Sequence, residues 1–176
     1  MGADDFVRYP DDPYDRIWTD YTGEWPSIST NSTVKPDTDF ATPSLVMQTA
    51  STTNSTKQPL IFPWTSNNKS SLFLIILHIG EIQDIPRTDY REFNIYADGY
   101  DVPLFDHIVP QKLTSVWASY WDTDGTTYNV SFKATSNSTL PPLLNAIELY
   151  YIRPATGILT YSGDGKFDHS YLTLNA

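Results

Sequence analysis

The chain has no cysteine, so disulfides, thiolate nucleophiles and cysteine-bearing zinc sites are excluded. Basic residues are scarce: 11 Lys and Arg stand against 21 Asp and Glu, a formal net charge of −10. Affinity for nucleic acid comes chiefly from cationic side chains displacing counterions from phosphate, and polybasic attachment to anionic lipid needs the same surplus. Neither partner is expected. Long apolar runs are missing as well. The longest, Leu72–Ile79, is interrupted by His78 and falls far short of the ~20 residues that cross a bilayer as a helix, so no direct membrane insertion is expected of it. The opening Met-Gly-Ala-Asp-Asp has neither the basic nor the apolar region of a secretory leader. Phe6 stands where a myristoylation motif built on Gly2 would need Ser or Thr.

What is present fits one folded domain. The 176 residues are 40% apolar and 14% aromatic, too rich in ring and branched side chains for a disordered segment. A chain of this size buries about 70% of its unfolded surface and needs no staple. Turn formers are dense, with 13 Pro, 8 Gly and 37 Ser or Thr. Between them lie short β-type segments at 44–50, 59–64, 71–79, 91–97, 113–120, 127–134 and 143–152. No stretch of twelve residues keeps a 3.6-residue apolar period free of proline, so little helix is expected. The pattern predicts an all-β sandwich or barrel.

Two strands carry more detail. In Thr127–Ala134, Tyr128, Val130, Phe132 and Ala134 alternate with Asn129, Ser131 and Lys133, which predicts one face on a core and one in water. Leu72–Ile79 is apolar on both faces and should lie centrally, covered from both sides. Asp124-Gly125 is a favoured two-residue turn, so 113–120 and 127–134 are expected to pair as antiparallel neighbours.

The Asn-x-Ser/Thr pattern occurs at Asn31, Asn54, Asn68, Asn129 and Asn137. Four lie in turn-type stretches, and Asn129 falls on the strand face assigned to water. Glycosylation requires accessible surface in a secretory compartment, so these five positions predict an extracellular or cell-surface glycoprotein whose leader lies upstream of this sequence.

Several strings go beyond composition. Arg8-Tyr9-Pro10-Asp11-Asp12-Pro13-Tyr14-Asp15-Arg16-Ile17-Trp18 resembles the segment that opens the second module of plant malectin-like domains. Ser44–Ala50 with the sequon after it, Arg91-Glu92-Phe93-Asn94-Ile95, and the run from Asn137 to Tyr150 (NSTLPPLLNAIELY) are similar to later blocks of that family, in the same order. The resemblance covers about residues 6–153 and implies a malectin fold, a jelly-roll-like β-sandwich related to carbohydrate-binding modules. It also implies origin in the membrane-anchored ectodomain of a receptor-like kinase, often one with leucine-rich repeats. Residues 154–176 match none of its blocks and are set apart as a C-terminal tail.

Catalytic constellations are weak. His78, His107 and His169 are far apart, none in a metal-binding His-Glu-x-x-His pair. His78, inside an apolar strand, reads as a hydrogen-bonded core histidine. No nucleophile elbow, phosphate-cradling loop or dinucleotide fingerprint occurs. Asp122-x-Asp124-Gly125 resembles part of a calcium loop but lacks the further oxygen ligands at set positions. No catalysis, cofactor or metal is expected. Sugars pair an apolar C–H face with a rim of hydroxyls, so their sites combine an aromatic ring with Asp, Asn or Gln acceptors. Tyr100 and Asp101, and Tyr120, Trp121 and Asp122, combine those groups beside predicted turns and are the candidate carbohydrate site. Trp18 and Phe132 are assigned to the core. The competing reading is recognition of a secreted peptide or partner protein, for which an acidic surface would suit a basic ligand.

Overall fold

The computed structural model describes residues 6–8, 10–21, 23–35, 39–66, 71–98, 100–111, 116–123 and 126–152, with backbone alone at 71–72 and 116–123. Along the chain run β1 (Phe6–Val7), β2 (Trp18–Thr19), β3 (Ser27–Ser29), the helical turn α1 (Ser44–Met47), β4 (Thr49–Thr52) and β5 (Leu60–Thr65). They are followed by β6 (Ser71–His78), β7 (Phe93–Ala97), β8 (Phe105–Ile108), β9 (Val116–Thr123), β10 (Thr127–Ala134), β11 (Leu143–Leu144) and β12 (Ala146–Ile152). One layer is a four-stranded sheet in the order β5-β10-β7-β8; facing it are two three-stranded sheets, β11-β4-β3 and β12-β6-β9. A small β1-β2 pair lies outside them. The architecture is the expected all-β sandwich.

The alternating strand behaves as its pattern dictates. Tyr128, Val130 and Phe132 of β10 are buried, while Asn129 and Ser131 are half-exposed and Lys133 is exposed. They meet Phe73, Ile75 and Leu77 of β6 in one core, joined by Phe93 and Ile95 of β7. The Phe73 ring lies 5.4 Å from Tyr128 and 6.0 Å from Trp64, edge to face, so aromatic contacts bind layer to layer. The central position expected for 72–79 holds, since β6 pairs with β12 on one side and β9 on the other. Its second face is buried too, at Ile76 and His78. Pro63, inside β5, is tolerated because β5 is an edge strand and the missing N–H breaks no ladder bond.

Four expectations need correction. Ser44–Met47 is a helical turn rather than the start of a strand. Val46 and Met47 are adjacent and both buried, which a helical turn achieves and a half-buried strand cannot. Strands β9 and β10 are not neighbours: β9 pairs with β6, and β10 pairs with β5 and β7. The chain changes layer between β5 and β6 and between β9 and β10, as it does at several other connections, and Ser66 N after β5 donates to Thr126 O before β10 at 2.9 Å. Strand β9 extends to Thr123, so Tyr120, Trp121 and Asp122 occupy ladder positions opposite Leu74, Phe73 and Leu72 rather than a turn. Finally, 143–152 is two strands. Asn145 separates them, its Oδ1 accepting from Gly80 N at 2.7 Å and its Nδ2 donating to Met47 O at 3.0 Å.

Candidate functional site

Three features could carry function: two buried polar clusters and one open cleft. The first cluster is built from the segment Arg8–Trp18. Asp12 is fully buried and accepts from Trp18 Nε1 at 2.5 Å, Arg16 Nε at 2.8 Å and Tyr14 N at 2.7 Å. Arg16 Nη1 reaches Glu148 Oε1 of β12 at 3.0 Å, and its Nη2 donates to Phe40 O at 2.8 Å and Ala41 O at 3.2 Å. The guanidinium also lies over the Trp18 ring at 4.8 Å and the Tyr14 ring at 5.2 Å. Glu148 further accepts from His78 Nε2 at 2.7 Å and from the Tyr150 hydroxyl, while His78 Nδ1 lies 3.0 Å from Thr42 Oγ1. The expected core histidine is thus satisfied at both ring nitrogens.

This cluster is a clasp. It ties the incoming segment to the outer side of β12 and β6, and it joins the first sequence block of the resemblance to the last. Burial alone would raise the Asp12 carboxyl, but hydrogen bonds from Trp18, Tyr14 and Arg16 and the Arg16 charge outweigh it and hold the group below its ordinary 3.8. The same contest at Glu148, between burial on one side and His78, Tyr150 and Arg16 on the other, leaves it below 4.5. Burial and the Glu148 carboxylate push Tyr150 up to about 12. Both carboxyls are depressed in the folded state, so their stabilisation is fully present above the ordinary values of 3.8 and 4.5 and is lost as pH falls through the lowered ones. Thermal midpoints should therefore be flat in this respect from neutral pH to about 5 and fall below about 4. Asp12→Asn should flatten that acid limb; an unchanged limb would mean other carboxylates control it.

The second cluster centres on Arg91 and Glu92. Arg91 Nε donates to Glu81 Oε2 at 2.7 Å, Nη2 to Gln83 Oε1 at 2.9 Å, and Nη1 to Pro141 O. Glu92 accepts from Thr135 Oγ1 at 2.6 Å and from the Tyr90 hydroxyl at 3.1 Å. These bonds tie the segments before β7 and after β10 together, and His107 Nδ1 of β8 lies 3.2 Å from Glu92 Oε1. This is scaffold.

The cleft is different. It encloses about 590 Å³ where edge strand β5 faces β4, β11 and β12, with Ile17–Tyr21, Trp25 and Ser27 along its outer side. Its lining combines Tyr21, Trp25 and Phe62 with Asp20, Ser27, Thr49 and Ser51 over an apolar floor that includes Leu60, Ala50 and Leu144. The Tyr21 ring, 46% exposed, packs against Phe62 with centroids 5.0 Å apart. Trp25 is fixed by an indole hydrogen bond to Ile61 O at 2.9 Å. Gly23 allows the turn around Tyr21, since a Cβ there would overlap the tyrosine ring. Among the described lining residues, Asp20 is the one formally charged side chain. A volume of this order suits a small ligand, and a ring beside hydroxyl and carboxylate groups suits a carbohydrate.

The sequence-derived candidates lie elsewhere. Tyr100 and Asp101 are exposed on the connection from β7 to β8, in the four-stranded layer. Tyr120, Trp121 and Asp122 are on β9, in the opposite layer, so the two clusters stand on different sheets. Of the sequons, Asn31, Asn54 and Asn137 are exposed, Asn129 is half-exposed, and Asn68 lies outside the described residues. So do the Asp124-Gly125 turn, His169 and the tail 154–176. The cleft aromatics escaped the sequence reading because Tyr21, Trp25 and Phe62 are brought together by the fold and form no local run.

The class of protein is thus an all-β, layered antiparallel sandwich with an open, partly aromatic cleft on one side. The family model described as Malectin-like domain matches residues 1–152, and the chain belongs to the malectin-like domain family. Two probable LRR receptor-like serine/threonine-protein kinases of Arabidopsis thaliana are 36% and 37% identical to it, over 85% and 84% of this chain. The chain spans 17% of the length of each. Among solved structures, the ANXUR2 extracellular domain from Arabidopsis thaliana superposes with a TM-score of 0.65 at 14% identity, covering 85% of this chain and 47% of that one. The plant receptor-like kinase ANX1 gives 0.61 at 14%, covering 80% and 43%. A Bacteroides uniformis β-glucuronidase shares the fold at 0.58 and 18% identity, over 84% of this chain and 17% of its own.

Proposed function

We propose that this domain is a non-catalytic carbohydrate-recognition module of a receptor-kinase-type ectodomain, working outside the cell, with a cell-wall or glycoprotein glycan as ligand. The observation that carries the reading is the Tyr21–Phe62–Trp25 wall beside Asp20, Ser27, Thr49 and Ser51 in a cleft of about 590 Å³. A pyranose ring laid on Tyr21 would bury its C–H face against the aromatic surface and turn its hydroxyls to the polar rim. Family membership and the receptor-like kinase relatives support the extracellular setting, as do the exposed sequons. No metal, nucleotide or covalent step is needed for such binding. The residues named from the sequence, Tyr100, Asp101, Tyr120, Trp121 and Asp122, remain the rival location for the same activity.

The decisive experiment is a glycan array with the secreted chain, followed by titration of hits against Tyr21→Ala and Tyr100→Ala. Loss with Tyr21→Ala and retention with Tyr100→Ala supports the cleft; the reverse moves the site to the β7–β8 connection. An array without hits, together with binding of basic secreted peptides, replaces the carbohydrate reading by peptide recognition.

A further inference from the structure

The five sequons are not equivalent. Asn31, Asn54 and Asn137 stand on connections, whereas Asn129 lies on β10, an interior strand flanked by β5 and β7. Its side chain is on the outer face of the sheet, where Ser131 and Lys133 follow it and the cross-strand neighbours are Pro63 and Ile61 on β5 and Tyr96 on β7. Asn129 Nδ2 donates to Asp98 Oδ2 at 2.5 Å. We propose that Asn129 carries an N-linked glycan that lies along this outer face and withdraws it from partner contact, leaving recognition to the cleft side.

The chemistry is consistent with that bond. Attachment joins Nδ2 to the anomeric carbon of a lipid-pyrophosphate-linked oligosaccharide, breaks that carbon's bond to the pyrophosphate, and releases one of the two amide protons. One N–H remains, and in the folded domain Asp98 is placed to accept it. The face it would cover has the required character: Pro63 exposed, Ile61 and Tyr96 half-exposed, and Lys133 Nζ 4.5 Å from the Tyr96 ring. Ser131, the sequon hydroxyl, sits in register between Ile61 and Tyr96.

The inference rests on the extracellular reading, and the test separates the two. The full chain is secreted from a eukaryotic cell and glycopeptide mass spectrometry measures occupancy at each site. Lys133 is labelled with an amine-reactive ester in the wild type, Asn129→Gln and Ser131→Ala, with exposed Lys57 as reference. Ser131→Ala removes the sequon but keeps Asn129 and its bond to Asp98, so it guards against a folding defect in the first variant. Occupancy of Asn129 in most molecules, with Lys133 labelled severalfold faster in both variants, is the expected result. Glycans at Asn31, Asn54 or Asn137 with Asn129 bare would overturn this inference alone. An occupied Asn129 with unchanged Lys133 labelling would overturn the shielding. No glycan at any site would overturn both readings.

Discussion

Arg16→Ala is expected to destabilise the domain by about 3–5 kcal/mol, because it leaves two buried carboxylates without their cation. Arg16 is 14% exposed in its side chain, Asp12 0% and Glu148 7%, so solvent cannot take the place of the lost partner. The loss also frees Phe40 O and Ala41 O and removes the cation from the Trp18 face. For a domain of this size the midpoint should drop by roughly 10–15 °C. The contrast is Arg8, whose pairing with Asp15 at 2.9 Å is between side chains 47% and 57% exposed. Arg8→Ala should stay within about 0.5 kcal/mol. Simultaneous apolar replacement of Asp12, Arg16 and Glu148 strands no carboxylate but leaves Trp18 Nε1, His78 Nε2, Phe40 O and Ala41 O without these partners, so it should destabilise as well. Thermal unfolding and denaturant titration read all three variants. A midpoint for Arg16→Ala within a degree or two of wild type would mean that the clasp contributes nothing to folding.

The clasp also marks the boundary of what the sequence can say. Its first half is visible as a string, Arg8 to Trp18, and the string is specific enough to indicate the family. Its role is not visible, because Glu148 is 132 residues from Arg16 and no local pattern joins them. Trp18 was readable as a core residue from its place in the family-like block and His78 from its apolar strand, yet their contact, 5.5 Å edge to face, was not. Strand identity followed the same rule. Thr127–Ala134 and the central apolar strand were legible because side-chain period and hydrophobicity act within a few residues. Sheet membership was not, because pairing is decided by which distant strand offers a matching face. The Asp124-Gly125 pair suggested a hairpin, but the chain there passes from one layer to the other, and β9 finds its neighbour in β6. That pairing also sets the candidate residues of β9 on a strand of the opposite layer from Tyr100 and Asp101. Residues 120–122, adjacent in sequence, hold ladder positions opposite Leu74, Phe73 and Leu72, while Tyr21, Trp25 and Phe62, scattered in sequence, share one wall.

Truncating Tyr21 should abolish most ligand affinity with little effect on stability. Tyr21 is 46% exposed, so Tyr21→Ala opens no deep cavity, while removal of a central aromatic anchor typically costs about 2 kcal/mol of binding, a factor of roughly 30. Gly23→Ala offers a subtler probe. The added methyl would overlap the Tyr21 ring first of all, a side chain that can swing aside, so the fold should survive while the platform is misaligned. Its affinity should fall between wild type and Tyr21→Ala. The cleft's electrostatics sharpen the expectation. With Asp20 the one formally charged group among its described lining residues, the cleft has no cation to pair with a uronate, and the chain's net charge is −10. Uncharged glycans should therefore bind in preference to acidic ones. Their affinity should change by less than about twofold as salt rises, because no ion pair is screened. A basic peptide would behave oppositely, weakening steeply with salt and with Asp20→Asn. Isothermal titration of array hits at low and high salt distinguishes the two. Preferential binding of polyuronates, or affinity indifferent to Tyr21→Ala and Gly23→Ala, would remove the cleft from consideration as the sugar site.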